Sequence, residues 1–179
     1  MPKLERPTRA DIAAACGRTV PDVIAPGLKV LFVGINPSLY SAAVGHHFAR
    51  PGNRFWPALH AAGLSCRLVH PSEDRLLLDS GYGLTNIVDR ATASADELTA
   101  AELAAGARKL VRKVKCYRPR AVAFLGVTAY RIAFGRPAAA AGQQSESIGE
   151  SAVWVLPNPS GLNAHYRLAD LARMYAQLR

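Results

Sequence analysis

Residues 28–38 read Leu-Lys-Val-Leu-Phe-Val-Gly-Ile-Asn-Pro-Ser. Leu28 to Gly34 is an apolar, β-branched run far too short to span a bilayer. A run of this kind marks a strand covered on both faces, as in a parallel sheet. Asn-Pro ends it, because proline has no N–H to offer the ladder. Three further runs share the pattern: GLTNIV (83–88), AVAFLG (121–126) and AVWVLP (152–157). The last continues into Asn158-Pro159-Ser160-Gly161, so two buried strands end in the same Asn-Pro-Ser punctuation.

Helical signals separate these runs. One short helix is expected from Thr8 to Cys16. Asn53 can cap a helix carrying Phe55, Trp56, Leu59 and Ala62, closed by Gly63. Ser72 opens another, through Leu76–Leu78 to Gly81. Thr99 and Glu102 have capping-box spacing, and Leu98 can staple against Leu103. From there Leu103, Ala107, Leu110, Val111 and Val114 form one apolar stripe to about Cys116. A short helix runs through Tyr130 to Phe134, and a last one carries Leu168, Leu171, Ala172, Tyr175 and Leu178. Residues 135–150 are poor in large apolar side chains and predict a loop. Strands alternating with helices give an α/β fold: a three-layer α/β/α sandwich with a mostly parallel central sheet. In such sheets ligands bind beyond the carboxyl ends of the strands.

A length of 179 residues with 50% hydrophobic and 20% charged side chains suits one globular domain. No apolar run approaches the ~20 residues of a membrane span. The first residues, MPKLERPTRADIAAAC, lack the apolar core of a secretion signal, so a cytoplasmic protein is expected. Lys plus Arg is 22 against 13 for Asp plus Glu, a net charge of +9. That excess attracts a polyanion, most commonly nucleic acid. Cys16, Cys66 and Cys116 form no Cys-x-x-Cys pattern, and no His-Glu-x-x-His occurs; reduced, buried thiols and no metal are expected.

The chemistry-bearing residues cluster at the strand ends. Asn36 and Asn158 each place a carboxamide, donor and acceptor at once, near the crevice. Between them lies Gly45-His46-His47-Phe48-Ala49-Arg50-Pro51-Gly52-Asn53-Arg54-Phe55-Trp56. Aromatic faces stack on bases while arginines hold phosphates. Phe55 and Trp56 fall on the core face of the expected helix; Phe48 sits outside it, in the loop. His46 and His47 have no carboxylate cluster beside them. Asp89 is the nearest acid, and turn capping or pairing with Arg90 is its ordinary role. Arg108, Lys109, Arg112, Lys113, Lys115, Arg118 and Arg120 form a basic run on a helix leading into a strand, hence at the edge opposite the crevice. A solvated face is expected there, and Arg50, Arg54, His165 and Arg167 are the better phosphate candidates.

GINPSLYSAAVGHHFARPGNRFW (34–56) and NPSGLNAH (158–165) resemble the two signature segments of the mismatch-specific uracil/thymine DNA glycosylase family. The likeness runs from about Ala25 to the C-terminus, leaving residues 1–24 as an N-terminal extension and 25–179 as a single glycosylase domain. The resemblance implies a uracil-DNA-glycosylase-like fold and a monomer. It implies a cofactor-independent enzyme acting on double-stranded DNA with a G·U or related mismatch, working in the nucleoid. Its residue roles carry over position by position. Asn36 matches the water-positioning asparagine. Ile35 and Phe48 match positions whose backbone meets the pyrimidine's polar edge, and the Phe48 ring matches one that stacks on the flipped base. Ser41 matches a pocket position near the pyrimidine 5-carbon, where a serine favours uracil over thymine. Gly161 and Asn163 match residues against the widowed guanine, and Leu162 matches the wedge. Arg50, Asn158, Ser160, His165 and Arg167 complete the DNA-facing set.

Two departures stand out. Asn163-Ala164-His165 replaces the Ser-Arg that often follows the wedge, which leaves His165 or Arg167 to supply that phosphate contact. His46-His47 replaces more apolar residues. No lysine occurs in either signature segment, so hydrolysis without a lyase step is expected. Two other readings compete: a non-catalytic binder of mismatches or abasic sites, and an α/β enzyme acting on free nucleotides or nucleosides. The latter leaves Leu162 and the positive charge without a purpose.

Overall fold

Alternation along strand β1 (Val30–Gly34) decides the layering. Val30 and Phe32 enter one core and Leu31 and Val33 the other, all essentially without solvent contact. In the computed structural model, which describes residues 6–179, β1 lies between β2 (Tyr82–Asn86) and β3 (Ala121–Leu125), parallel to both. Strand β5 (Ser151–Leu156) continues the sheet beside β3, and β4 (Gly142–Ile148) closes it antiparallel to β5. The order is β2-β1-β3-β5-β4. Helices α3 (Phe55–Ala61) and α6 (Leu168–Ala176), with a 3₁₀ segment Pro71–Ser80, cover one face. Helices α4 (Ala100–Tyr117) and α5 (Val127–Phe134) cover the other. The three-layer α/β/α sandwich with a mostly parallel sheet is therefore the fold.

Parallel pairing puts the carboxyl ends of β1, β2, β3 and β5 at one rim. The chain leaves β1 for β2 on one side and later returns to β3 on the other. A crevice opens at such a reversal. Helix α4 packs behind the segment that leaves β2. Thr99 Oγ1 accepts from Glu102 N–H at 3.1 Å and Thr99 N–H donates to the Glu102 carboxylate at 2.9 Å, the reciprocal cap expected. A Cβ on Gly106 would stand 2.2 Å from the Ile87 carbonyl oxygen, so only glycine lets α4 seat on the segment leaving β2.

Several local expectations need correction. Residues 142–148 form β4 rather than a loop: Gly142, Gln144, Glu146 and Ile148 are half-buried while their neighbours are exposed. Polar side chains suit an edge strand, and period-two burial without large apolar residues leaves little hydrophobic signal. A six-residue helix, α2 (Leu39–Val44), follows Ser38, which caps it by accepting from Ser41 N–H at 3.1 Å. The segment after His70 winds as 3₁₀ rather than α. Cys16, Cys66 and Cys116 are free but exposed, not buried. The basic run is a solvated face, as expected, except Lys113, whose ammonium lies 2.5 Å from Asp22 and 3.0 Å from Thr85 Oγ1.

The N-terminal helix α1 (Arg9–Ala13) is shorter than the Thr8–Cys16 reading and is capped by Thr8. After it, Ala15 and Val20 pack with Ala42 of α2 and Ala91. Among the described residues no helix is long and apolar enough to cross a membrane.

Candidate active site

A cavity of about 400 Å³ opens at the rim between β1 and β3. The ends of β1, β2 and β5 supply Gly34 to Ser38, Asn86, and Asn158 with Ser160. The loop before α3 adds His47, Phe48, Arg50 and Asn53, while Leu162 and Asn163 overhang it. Asn36, Phe48 and Leu162, far apart in sequence, thus share one cavity.

Asn36 is held in one orientation. Its Nδ2 donates to the Arg90 carbonyl at 2.9 Å and to Thr92 Oγ1 at 2.7 Å. Both amide hydrogens are consumed, and Oδ1 takes no partner among the described residues. An acceptor of fixed direction therefore faces the cavity. The acceptors that hold it are themselves held. Thr92 is buried, donates to the Ser94 carbonyl at 2.7 Å, and its N–H reaches the Pro37 carbonyl at 3.3 Å. Arg90 pairs with Glu102 at 2.6 Å, and this guanidinium holds the Glu102 carboxyl down to about 2. Asp89, by contrast, is exposed, lies outside the cavity and does not pair with Arg90.

Phe48 has φ +52°, a conformation that costs a side-chain-bearing residue roughly 1–2 kcal/mol. Its neighbours enforce it. His47 N–H donates to buried Asp74 at 3.3 Å, and Ala49 N–H donates to Ser41 Oγ at 3.1 Å. Trp56 Nε1–H donates to the His47 carbonyl at 3.1 Å. Phe55 stacks on one face of the Phe48 ring, centroids 4.2 Å apart and planes 24° apart. The Phe48 N–H itself has no partner among the described residues and remains available at the cavity. Ser41 is buried, its hydroxyl engaged by Ala49 and, at 3.1 Å, by Ser38. Ile35 spends its carbonyl on Val88 N–H at 3.0 Å.

The histidine pair secures the loop. His46 Nδ1 meets Asp74 at 3.1 Å, and His47 Nε2–H donates to the Pro21 carbonyl at 2.9 Å. Burial pushes the His47 imidazole below its usual 6.5, keeping it neutral.

Arg54 serves differently from the phosphate role expected of it. Its guanidinium donates inward to the carbonyls of Ser160 at 2.6 Å, Asn163 at 2.9 Å, Tyr166, and, more weakly, Pro159 at 3.4 Å. One half-buried cation thus shapes the 158–166 loop. Within it, Asn158 Oδ1 accepts from Ser160 N–H at 2.9 Å, and Asn163 uses both amide ends, donating to the Asn158 carbonyl and accepting from His165 N–H. The Asn163 side chain is therefore committed inside the loop. Gly161 backs onto Gly52, whose carbonyl oxygen would stand 2.6 Å from an added Cβ. Leu162 is 78% exposed at the loop's tip. Arg50 is exposed at the cavity; His165 and Arg167 are exposed outside it, His165 on a neighbouring groove with Tyr166 and Arg173.

Asn86 escaped sequence reasoning. It ends β2, is 7% exposed, lines the cavity, and its amide makes no hydrogen bond among the described residues. An asparagine closing a third buried strand, without the proline that marks the other two, was the available signal. Gly34 makes room for it: a Cβ there would lie 2.5 Å from Asn86 Oδ1 and 3.3 Å from the Phe48 ring.

Comparison with known proteins bears on the family and the fold. The family model described as the Uracil DNA glycosylase superfamily matches residues 21–179. Among solved structures, the solution NMR structure of a Methanosarcina acetivorans protein, provisionally described as a uracil DNA glycosylase, superposes with a TM-score of 0.58. The two sequences are 21% identical over 90% of this chain and 98% of the other, a likeness of fold.

Proposed function

Because the chain belongs to the Uracil DNA glycosylase superfamily, we propose that it hydrolyses the N-glycosidic bond of uracil in double-stranded DNA, opposite guanine, and leaves an abasic site. The observation that carries this reading is the Asn36 amide, with both N–H groups bound and its oxygen left for a molecule in the cavity.

A base inside a duplex is out of reach, so the nucleotide must swing out. The pyrimidine then lies on Phe48, with the Phe48 N–H and the Asn86 amide at its polar edge and Ser41 near carbon 5. Asn36 Oδ1 accepts a hydrogen bond from water and aims the water's lone pair at the sugar C1′. As the C1′–N1 bond breaks, its electron pair stays on N1 and spreads over the uracil ring. Water oxygen bonds to C1′, and the released proton passes to solvent or to the departing uracil anion. A neutral amide orients water without removing its proton, so chemistry is slow and depends on the leaving group. Hydrolysis with no lysine at the sugar leaves the strand intact until alkali cleaves it. Leu162 fills the gap in the stack, which offsets part of an unstacking cost of a few kcal/mol. Arg50, His165 and Arg167 face phosphates.

The test is a G·U duplex under excess enzyme, followed by alkali. Strand scission that Asn36→Ala abolishes is the expected result. Tight lesion binding with no abasic product, unchanged in Asn36→Ala, would leave a non-catalytic mismatch binder in its place. A Ser41→Ala variant with an unchanged preference for G·U over G·T refutes the specificity role of Ser41.

A further inference from the structure

Residues 15–20 lie outside the span matched by the family, yet they reach the centre of the site. Gly17 N–H donates to the Ala91 carbonyl at 3.0 Å, and Ala91 N–H donates to the Arg18 carbonyl at 2.8 Å. Ala91 thus spends both backbone groups on this segment. Its two neighbours in sequence, Arg90 and Thr92, are the residues that receive the two N–H groups of Asn36. Ala15 and Ala91 are fully buried against each other and Ala42, so the segment is packed as well as hydrogen-bonded. It continues to Val20, which lines the cavity, and to Pro21, whose carbonyl accepts from His47 beside Phe48.

From this we propose that residues 15–20 form a strap that positions Asn36, by pinning Ala91 and so the two acceptors that orient the Asn36 amide. The inference rests on the reading of Asn36 given above. Three clamps converge on residues 90–92: Glu102 holds the Arg90 side chain, Pro37 holds the Thr92 N–H, and the strap holds Ala91 between them. Remove the strap and the acceptors lose registry, letting the amide rotate or take up water. A shift of about 1 Å at a reacting group is enough to cost on the order of a hundredfold in rate.

Gly17 is the point of attack. Its φ of +76° is closed to proline, and proline also lacks the N–H that meets Ala91. Among the described residues nothing lies within 4 Å of an added Cβ there, so the packing around the strap is spared, while the proline ring carbon on nitrogen pushes against the Ala91 carbonyl and opens the strap at that bond. In the full chain, Gly17→Pro is expected to lower the single-turnover rate on a G·U duplex by about tenfold to a hundredfold. Duplex affinity should stay within about twofold, since the strap touches none of the proposed DNA contacts. Ala15→Glu, which forces a charge into a closed site, should do the same; if it unfolds the chain, Gly17→Pro carries the test.

Two readouts separate positioning from general support. In an Asn36→Ala background, Gly17→Pro should cost nothing more, measured with 5-fluorouracil as leaving group to keep the residual rate visible. By NMR, the Asn36 side-chain NH₂, identified by its loss in Asn36→Ala, should exchange with solvent about tenfold faster in Gly17→Pro. Unchanged rate and unchanged amide exchange in Gly17→Pro would overturn the strap, and so would an equal loss in the Asn36→Ala background. A wild-type chain that cleaves no lesion overturns the proposed function instead, and the amide exchange then judges the strap alone.

Discussion

Arg54→Met is the perturbation whose size the structure sets best. Methionine keeps the aliphatic stem and deletes the guanidinium, so four backbone carbonyls in the 158–166 loop lose a charged donor. The bond to Pro159 at 3.4 Å is weak, leaving three that matter. Hydrogen bonds from charged donors are worth about 1.5–3 kcal/mol each. Ser160, Asn163 and Tyr166 are only half-buried, so water recovers much of that, and a net loss of about 3 kcal/mol is reasonable. For a chain of this length each kcal/mol moves Tm by about 2–4 °C, which predicts a fall of roughly 6–12 °C. Leu162 rides on the same loop, so its proposed insertion into the duplex should fail too, lowering the single-turnover rate on a G·U duplex by about tenfold or more. Calorimetry and the glycosylase assay read the two effects. In a Leu162→Ala background, Arg54→Met should still lower Tm but no longer lower the rate, because the proposed wedge is already gone. A Tm within 2 °C of wild type, or a rate loss that multiplies with Leu162→Ala, would refute the assignment of Arg54 as the organiser of the loop.

Other perturbations separate folding from function. Leu162→Ala alone should change stability by no more than about 0.5 kcal/mol, since an exposed tip has no packing to lose, while duplex activity drops; equal losses in both would mean the side chain is structural. Gly34→Ala should displace Asn86 and tilt Phe48, depressing activity at nearly native far-UV circular dichroism, and full activity would show that neither group shapes the cavity floor. Burial depresses the His47 pKa in the fold, so the unfolded chain binds the extra proton: stability should fall as pH drops below about 6.5, and His47→Gln should flatten that limb of a denaturant-midpoint profile. Tyr175 buries a hydroxyl with no partner among the described residues, a cost of about 1–3 kcal/mol, so Tyr175→Phe should raise the denaturation midpoint; a lowered one points to a bound water.

Periodicity and punctuation make the architecture readable from the amino-acid order alone. Four apolar runs of strand length can be buried only in a sheet covered on both faces, and the helical stripes between them have no other place to go. That is why β1, β2, β3, β5 and α4 emerged from local pattern alone, while β4, which buries little apolar surface, did not. Candidate site residues at 36, 48 and 162 were also visible, because each breaks a pattern: an amide ending a strand, an aromatic outside a stripe, a leucine in a polar loop.

Partnership was beyond local reading. No spacing reveals that Arg54 turns inward to carbonyls 105 to 112 residues away, that Asn86 closes the cavity floor, or that Gly17 braces the residue between the two acceptors of Asn36. A chain's own order specifies which side chains prefer burial and where the backbone must turn. Which donor meets which carbonyl depends on distances created only when the strands align, and it was that alignment which turned a basic side chain into scaffold and a short N-terminal segment into part of the site.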